Sequence, residues 1–253
     1  HPLEMGVSMN SMGTPKVINT IDNDDDAFVK LYLAVDADSL YMAADVTDDV
    51  FNLDKTGTWY EQDAMEIFIG LYDQRGAKHA GAQRGAEPDY KFVFFGDSAF
   101  IEFGTTTGLS HQSYVTYATS AVNGSPNAAF EFSIDLDSLA MINTDSVFVA
   151  KEGMRIPIEP TWHDNDGAYE GNLVMSKNNN DNAWQTPGVW SHTFIGKYDG
   201  DILSTEEDIV ASTFALERNY PNPFNPTTTI QYSLGLAGPT KLMIYDVLGR
   251  ELV

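Results

Sequence analysis

Cysteine is absent from the 253-residue sequence, which excludes disulfide bonds, thiolate metal sites, thiol nucleophiles and covalent c-type haem. Basic residues are scarce, because 14 lysines and arginines stand against 37 acidic residues and leave a formal charge of −23. A field of this sign repels nucleic acid and anionic lipid. The sequence also lacks the run of about 18 apolar residues that a membrane-spanning helix needs. The composition therefore predicts neither a nucleic acid partner nor a membrane span.

The sequence does contain a series of short apolar runs separated by glycine, asparagine and aspartate. Residues 29–35 and 40–47 flank a turn-like cluster and predict a β-hairpin. Residues 64–72 alternate, with Glu66 and Phe68 on the side away from the core. The pattern indicates an all-β fold, an antiparallel sandwich of the jelly-roll or immunoglobulin-like kind in which each strand has one wet face. We predict further strands at residues 90–95, 99–103, 129–136, 154–162 and 190–197.

Two segments depart from this simple pattern. Pro157 and Pro160 have no N–H to donate to a ladder, so the strand at 154–162 is predicted to be bulged or to lie at a sheet edge. Residues 135–142 predict one or two turns of helix.

The composition changes after Tyr198, where an acidic, poorly periodic stretch begins. The first residues include an uncharged, methionine-rich stretch at 5–12, which could lie along the open sheet edge of a neighbouring chain. We predict an N-terminal extended segment at 1–17, a β-sandwich at 18–199, an acidic linker at 200–214 and a small, incomplete C-terminal β domain at 215–253.

The C-terminal segment carries an unusual alternation of asparagine and proline, followed by Leu248, Gly249 and Arg250. Each proline fixes its own φ and pushes the preceding residue out of the helical region, which predicts an extended lead-in strand. The segment resembles the start of a type A sorting domain of the type IX secretion system. The resemblance implies that the secretion machinery is a partner and that the protein is extracellular or lies on the outer-membrane surface. The motif residues are Asn219, Pro221, Asn222, Pro223, Phe224, Asn225 and Pro226.

Residues 29–31, 40–49, Trp59 with 63–69, and 162–167 carry a second resemblance. They are similar to the family 9 carbohydrate-binding-module-like, or DOMON-like, sandwiches. This resemblance implies a polysaccharide or cell-surface glycan as ligand, held between aromatic rings with polar groups on its hydroxyls.

The candidate ligand residues follow from this implied chemistry. Trp59 and Trp184 border loops and are expected to be exposed, whereas Trp162 and Trp190 border strands and are expected in the core. For each tryptophan, burial is the alternative to ligand stacking. The candidates for stacking are Trp59, Tyr60 and Trp184 in the first place, and then Trp162 and Trp190. Those for hydroxyl binding are Asn180, Asn182, Gln185, Glu66 and Arg84.

Acidic clusters offer a candidate metal site. Asp164 and Asp166 supply carboxylates at alternate positions before Gly167, and Glu170 follows closely. Asp24 and Asp48 belong to two further acidic runs. Oxygen ligands of this kind suit a structural Ca²⁺ ion, while acidic turns without metal are the alternative.

Other chemistries receive less support from the residues. Met65 and Lys177 are candidate ligands for a b-type haem, but Met65 lies on the inward face of its strand, so haem is not expected. The histidines have no serine or cysteine nucleophile motif nearby, and an enzyme is not predicted. We therefore expect a secreted, non-catalytic carbohydrate-binding protein. The alternatives are a self-associating subunit of an extracellular filament or layer, and a haem-binding electron-transfer protein.

Overall fold

A computed structural model describes residues 2–12, 15–53, 57–73, 89–103, 105–196, 215–216, 232–233, 241, 243 and 250. The chain forms two compact units, His1–Lys197 and Tyr198–Val253. In the second unit, strands β14 (Ala215–Leu216) and β15 (Tyr232–Ser233) pair antiparallel. The predicted acidic linker and the sorting motif at 219–226 lie outside the described residues.

The first unit consists mainly of β-strands. They are β1 (Leu3–Gly6), β2 (Lys16–Asn19), β3 (Ala27–Val35), β4 (Ser39–Asp48), β5 (Ala64–Gly70), β6 (Asp89–Phe95), β7 (Ser98–Phe103), β8 (Thr105–Gly108), β9 (Val115–Thr119), β10 (Ala128–Asp135), β11 (Arg155–Asn165), β12 (Tyr169–Val174) and β13 (Ser191–Phe194). Short 3₁₀ helices span Val7–Met12, Trp59–Glu61, Leu71–Asp73 and Pro187–Val189. The helix α1 spans Leu136–Asn143, where one or two turns were predicted, and the Asp135 side chain caps it by accepting from the Ser138 N–H. Within the described part of the chain, none of the helices has the length and apolar composition of a membrane span.

The strands form two sheets. The five-stranded sheet has the order β1-β3-β4-β10-β9, and β3 and β4 form the predicted hairpin. The eight-stranded sheet has the order β2-β12-β11-β5-β6-β7-β8, and β13 pairs with the first part of β11. All described pairings are antiparallel, as the sequence predicted.

The core lies between the two sheets. Phe92 and Phe94 of the eight-stranded sheet contact Phe132 of the five-stranded sheet, with ring centroids 5.6 and 5.3 Å apart. Trp162 is fully buried and meets Phe51 edge to face at 5.5 Å. The prediction of an all-β sandwich is confirmed, and Trp162 lies in the core as expected.

The prediction of one wet face per strand is correct for part of the fold only. Burial alternates along β4 and β10, but β5 and β6 are buried along their whole length. Glu66 and Phe68 point away from the core, yet their exposed fractions are 6 % and 1 %. Covering segments explain the difference, because Phe68 stacks on Trp190 at 5.5 Å.

Strand β11 is internal, so its predicted edge position is wrong. It pairs with β5 on one side and with β13 and then β12 on the other. Pro157 lies where only β13 is paired, and Pro160 lies where only β5 is paired. Each proline therefore sits where the strand has a neighbour on one side, which removes the conflict with its missing N–H. A register shift follows between Asp164 and Asn165.

The N-terminal residues add an edge strand to each sheet. Strand β1 pairs with β3, and β2 pairs with β12. Met5 has 0 % exposure and packs in the core. This part of the methionine-rich stretch therefore pairs with β3 of its own chain and is not available for pairing with the sheet edge of a neighbouring chain. Association through other edges stays a prediction.

Candidate functional site

A cleft of about 440 Å³ lies on the outer face of the eight-stranded sheet. Its floor comes from β5, β6 and β11, and its walls come from the segment before β5 and the segment after β12. The described residues that line it are Trp59, Tyr60, Glu66, Phe68, Lys91, Glu102, Thr161, His163, Tyr169, Asn179, Asp181, Ala183 and Trp184.

Paired charges form the floor. Lys91 Nζ lies 2.6 Å from Glu102 Oε2 and 3.5 Å from Glu66 Oε2. Burial by itself would raise the pKa of Glu66, but the charges and hydrogen bonds of Lys91 and His163 together outweigh burial and hold that pKa below its usual value. Burial would likewise lower the pKa of Lys91, but Glu66 and Glu102 raise it overall. The ion pairs fix the positions of the three side chains.

His163 extends this network to the aromatic wall. Its Nε2 lies 3.2 Å from Glu66 Oε2, and its ring meets the Trp59 ring edge to face at 5.4 Å. Its Nδ1 is buried and has no hydrogen-bond partner among the described residues. A buried polar atom without a partner carries a desolvation cost.

The first wall is the short helix Trp59–Glu61. The Trp59 Nε1 donates to Glu102 Oε1 at 3.1 Å, and Lys91 Nζ lies 4.9 Å from the Trp59 ring centroid. Tyr60 packs perpendicular to Trp59 at 5.5 Å and is 49 % exposed. The indole is therefore held by its edge and by its neighbours.

The second wall is the segment that carries Trp184, which is 37 % exposed. Trp184 Nε1 donates to the Asp181 carbonyl at 3.2 Å. Glu159, with 0 % exposure, accepts from the Ser176 N–H at 2.9 Å and from the Ser191 N–H at 3.2 Å, so one carboxyl group holds both ends of the segment. Burial raises the pKa of Glu159 to about 7, against the effect of these hydrogen bonds.

The structure brings part of the predicted ligand set together. Trp59, Tyr60, Trp184 and Glu66 line one cleft. The other predicted residues do not join them among the described residues. Asn182 instead accepts from the Asn180 N–H at 3.2 Å in a turn, and neither of these two nor Gln185 lines the cleft. Arg84 lies outside the described residues.

Sequence reasoning missed Lys91, Glu102 and His163. Lys91 interrupts an otherwise apolar strand next to the strand that carries Glu66, and a lone cation at such a position signals a buried partner of opposite charge. His163 gave no such signal, because it lies just beyond the strand predicted at 154–162 and no nucleophile motif stands near it.

A second cluster of side chains lies where β4 and β11 end and where β3, β5 and β12 begin. Three carboxylates, Asp48, Asp63 and Asp164, have oxygen atoms within 4.8 Å of one another. The predicted Asp24 is not part of this cluster, because it accepts from the Ser8 N–H at 2.7 Å. Two further groups within 4.8 Å are Asp26 with Asp164 and Glu170, and Asp26 with Asp49 and Asp166.

These carboxylates lack a counter-charge in the described structure. Burial, with the charges of neighbouring aspartates, raises the pKa of Asp48 to about 7, of Asp63 to about 9 and of Asp164 to about 8. Asp48 Oδ2 and Asp164 Oδ2 are buried without a hydrogen-bond partner among the described residues. Burial also raises the pKa of Asp166 to about 7 and the pKa of Glu170 above its usual value. The residues fit a hard cation with oxygen ligands.

The residues weighed for haem lie in different environments. Met65 is fully buried in the core between the sheets, and Lys177 is exposed in the segment after β12. The expectation that haem is not bound stays a prediction.

Comparisons with known proteins agree with this architecture. The family described as carbohydrate family 9 binding domain-like matches residues 7–195. A family 9 carbohydrate-binding module from Caldicellulosiruptor kristjanssonii in complex with glucose has a TM-score of 0.50 and 18 % identity, over 74 % of this chain and 94 % of that one. Its complex with cellotriose gives 0.49 and 18 %, over 77 % and 96 %. At this identity the likeness shows the fold. No curated protein sequence matches the chain.

Proposed function

Because the chain belongs to the carbohydrate family 9 binding domain-like family, we propose that it binds a neutral saccharide in the cleft between Trp59 and Trp184. The observation that carries the proposal is the combination of aromatic walls with a buried, charged floor in one cleft. The family's description names a binding domain, which supports a non-catalytic role.

The chemistry of the walls suits a pyranose ring. The face of a sugar ring presents C–H bonds, which pack against the negative face of an aromatic ring. Trp59, Tyr60 and Trp184 supply such surfaces, and a volume of about 440 Å³ falls in the range of roughly 300–1,000 Å³ that small-ligand sites occupy.

The floor suits hydroxyl groups. Glu66 can accept a hydrogen bond, and Lys91 can donate one. These groups are fixed by their mutual contacts before binding, so little ordering cost is added when the ligand arrives.

The charge balance of the cleft favours a neutral sugar. Lys91 is already paired with two carboxylates, Glu66 and Glu102, and Asp181 adds a third at the wall. A uronic acid would bring its carboxylate towards this negative surplus, in a chain whose formal charge is −23. We therefore expect neutral oligosaccharides to bind and uronic acid oligomers to be rejected.

Calorimetric titration tests the proposal with cellotriose, other neutral oligosaccharides and a uronic acid oligomer. Trp59→Ala and Trp184→Ala should each weaken binding by about tenfold or more, equivalent to about 1.4 kcal/mol. Tyr32→Ala is the matched control, because Tyr32 is a half-exposed aromatic residue on the outer face of the other sheet. Undiminished binding by both tryptophan variants would remove the cleft from consideration.

We propose a structural Ca²⁺ ion at the acidic cluster. The buried Asp48 and Asp164 oxygens without partners support it, since an uncompensated group of buried carboxylates is costly. Calcium titration should raise the thermal unfolding temperature of the wild-type chain. Asp48→Asn should reduce that increase, and Asp24→Asn, outside the cluster, should retain it.

We also propose export through the type IX system. Only the resemblance of residues 219–226 and the residues after them supports this. Replacing these eight residues with glycine and serine should retain the protein inside a host that has the machinery. Equal amounts of both forms in the culture medium would contradict it.

A further inference from the structure

We propose that a cation in the acidic cluster positions Trp59, and that saccharide affinity in the cleft therefore depends on cation binding. The inference rests on the proposed function of the cleft and adds a regulatory connection to it. Asp63 and Asn165 are the positioning residues, and neither lines the cleft among the described residues.

The connection consists of a short chain of hydrogen bonds. Asp63 Oδ1 accepts from the Asn165 N–H at 2.7 Å, and its Oδ2 accepts from the Asn52 N–H. Asn165 Nδ2 then donates to the Glu61 carbonyl at 2.5 Å. Glu61 is the last residue of the short helix that begins at Trp59. The carboxylate in the cluster and the aromatic wall are thus two hydrogen bonds apart.

A second connection runs along β11. His163 and Asp164 are consecutive residues, so their side chains point to opposite faces of the strand. His163 lies in the cleft against Trp59, and Asp164 lies in the cluster. A displacement of this part of β11 therefore moves both the cleft residue His163 and the cluster residue Asp164.

Repulsion among carboxylates supplies the driving force. The oxygen atoms of Asp48, Asp63 and Asp164 lie within 4.8 Å of one another, and these residues have exposed fractions of 1 %, 0 % and 0 %. A cation among them converts this repulsion into attraction and holds Asp63 in place as a charged acceptor. Without the cation the buried carboxylates are uncompensated, so Asp63 is a weaker acceptor for the Asn165 N–H, and Asn165 holds the Glu61 carbonyl less firmly.

Thermodynamic linkage makes this effect reciprocal and measurable. If the cation strengthens saccharide binding by some factor, the saccharide strengthens cation binding by the same factor. We expect about fivefold or more, which is the lower end of typical couplings between sites.

Hydrogen exchange and calorimetry on the full chain test the inference in calcium and in chelator. Removal of calcium should increase exchange of the amides at residues 61–63, whose N–H groups bond to Thr58, Trp59 and Asn52. The amides of Gln185, Thr186, Val189 and Trp190, which are hydrogen-bonded in the opposite wall, should stay protected. Cellotriose affinity should fall about fivefold or more in chelator.

Two variants sharpen the test. Asn165→Ala removes the hydrogen bond to Glu61, together with those from Asn52 and the Gly167 N–H, but leaves every carboxylate. It should therefore bind calcium and show little calcium dependence of cellotriose affinity. Asn178→Ala is the matched control, because Asn178 is an exposed residue in the opposite wall, and this variant should keep the dependence.

Three results overturn the inference: no calcium binding, loss of protection in both walls together, or the same cellotriose affinity in both conditions. If no saccharide binds in either condition while exchange at residues 61–63 still responds selectively to calcium, the proposed function fails and the positioning by the cation stands. The two failures are thereby distinguished.

Discussion

Side chains point alternately inward and outward along the strands of both sheets. The outward side chains are exposed at intervals on β4 and β10 of the five-stranded sheet, but they are buried on β5 and β6 of the eight-stranded sheet. On the five-stranded sheet, Lys30 pairs across from Asp45, and Glu131 projects from β10 into solvent. On the eight-stranded sheet, the equally outward Glu66 and Lys91 each have an exposed fraction of 6 %. The difference comes from the two segments that cover the second face. The candidate ligand site therefore lies where polar residues on the outer face of a sheet are covered by segments distant in the sequence.

The largest expected effect comes from removing the buried positive charge of Lys91. Lys91→Met leaves Glu66 buried without its main counter-charge and should destabilise the protein by about 3–5 kcal/mol. Lys30→Met, on the exposed face, should cost less than about 1 kcal/mol, including its contact with Phe28. Urea unfolding measures both. Equal losses would mean that the two faces do not differ electrostatically.

A pH titration of stability probes the covered face through Glu159. Its pKa rises from 4.5 to about 7 in the folded state, so the folded protein holds this proton more tightly than the unfolded chain. Its contribution is complete below about pH 4.5 and is lost as the pH rises through about 7, by about 3 kcal/mol in total at about 1.4 kcal/mol per pKa unit.

The variant Glu159→Gln isolates this contribution, because the acidic cluster titrates in the same direction. Its unfolding free energy should fall less between pH 5 and pH 8 than that of the wild type, although it loses the hydrogen bond from Ser191. Glu131→Gln, on the exposed face, should keep the full wild-type slope. A parallel pH dependence in all three proteins would refute the role of Glu159.

The smallest expected effect compares two tyrosines of similar exposure. Tyr32 is 46 % exposed on the five-stranded sheet, and Tyr60 is 49 % exposed at the cleft. Tyr60→Ser should weaken saccharide binding by about two- to fivefold, or about 0.4–1 kcal/mol. Tyr32→Ser should leave binding unchanged. If the two variants bind saccharide with the same affinity, the position of Tyr60 at the cleft makes no contribution to binding.

Sequence patterns predicted the elements with regular periodicity and missed those defined by remote partners. The hairpin of β3 and β4 follows from local alternation, whereas β2 and β12 pair across most of the domain and carry only weak local signals. Likewise, their residue type made Trp59 and Trp184 candidates for saccharide stacking. Strand alternation, in contrast, placed Glu66 on a solvent-exposed face. Only tertiary contacts decide whether such a face is covered.

The acidic residues show the same limit. Asp24 and Asp26 stand two positions apart in one acidic run, and the sequence offered no reason to prefer either. In the structure the Asp26 side chain belongs to the acidic cluster, while Asp24 accepts a hydrogen bond from the Ser8 N–H. Asp63 was missed because it stands alone in the sequence and reaches its neighbours only through the packing of three separate strands.

The pairing of β2 with β12 has a consequence for how the protein matures. Lys16–Asn19 meets its partner Gly171 to Val174 only after some 150 intervening residues have emerged during synthesis. Pairings this distant in sequence form slowly. In the nascent chain β2 therefore stays without its partner strand until the domain is nearly complete. Deleting either β2 or β12 should leave the other with an unpaired edge that is open to aggregation.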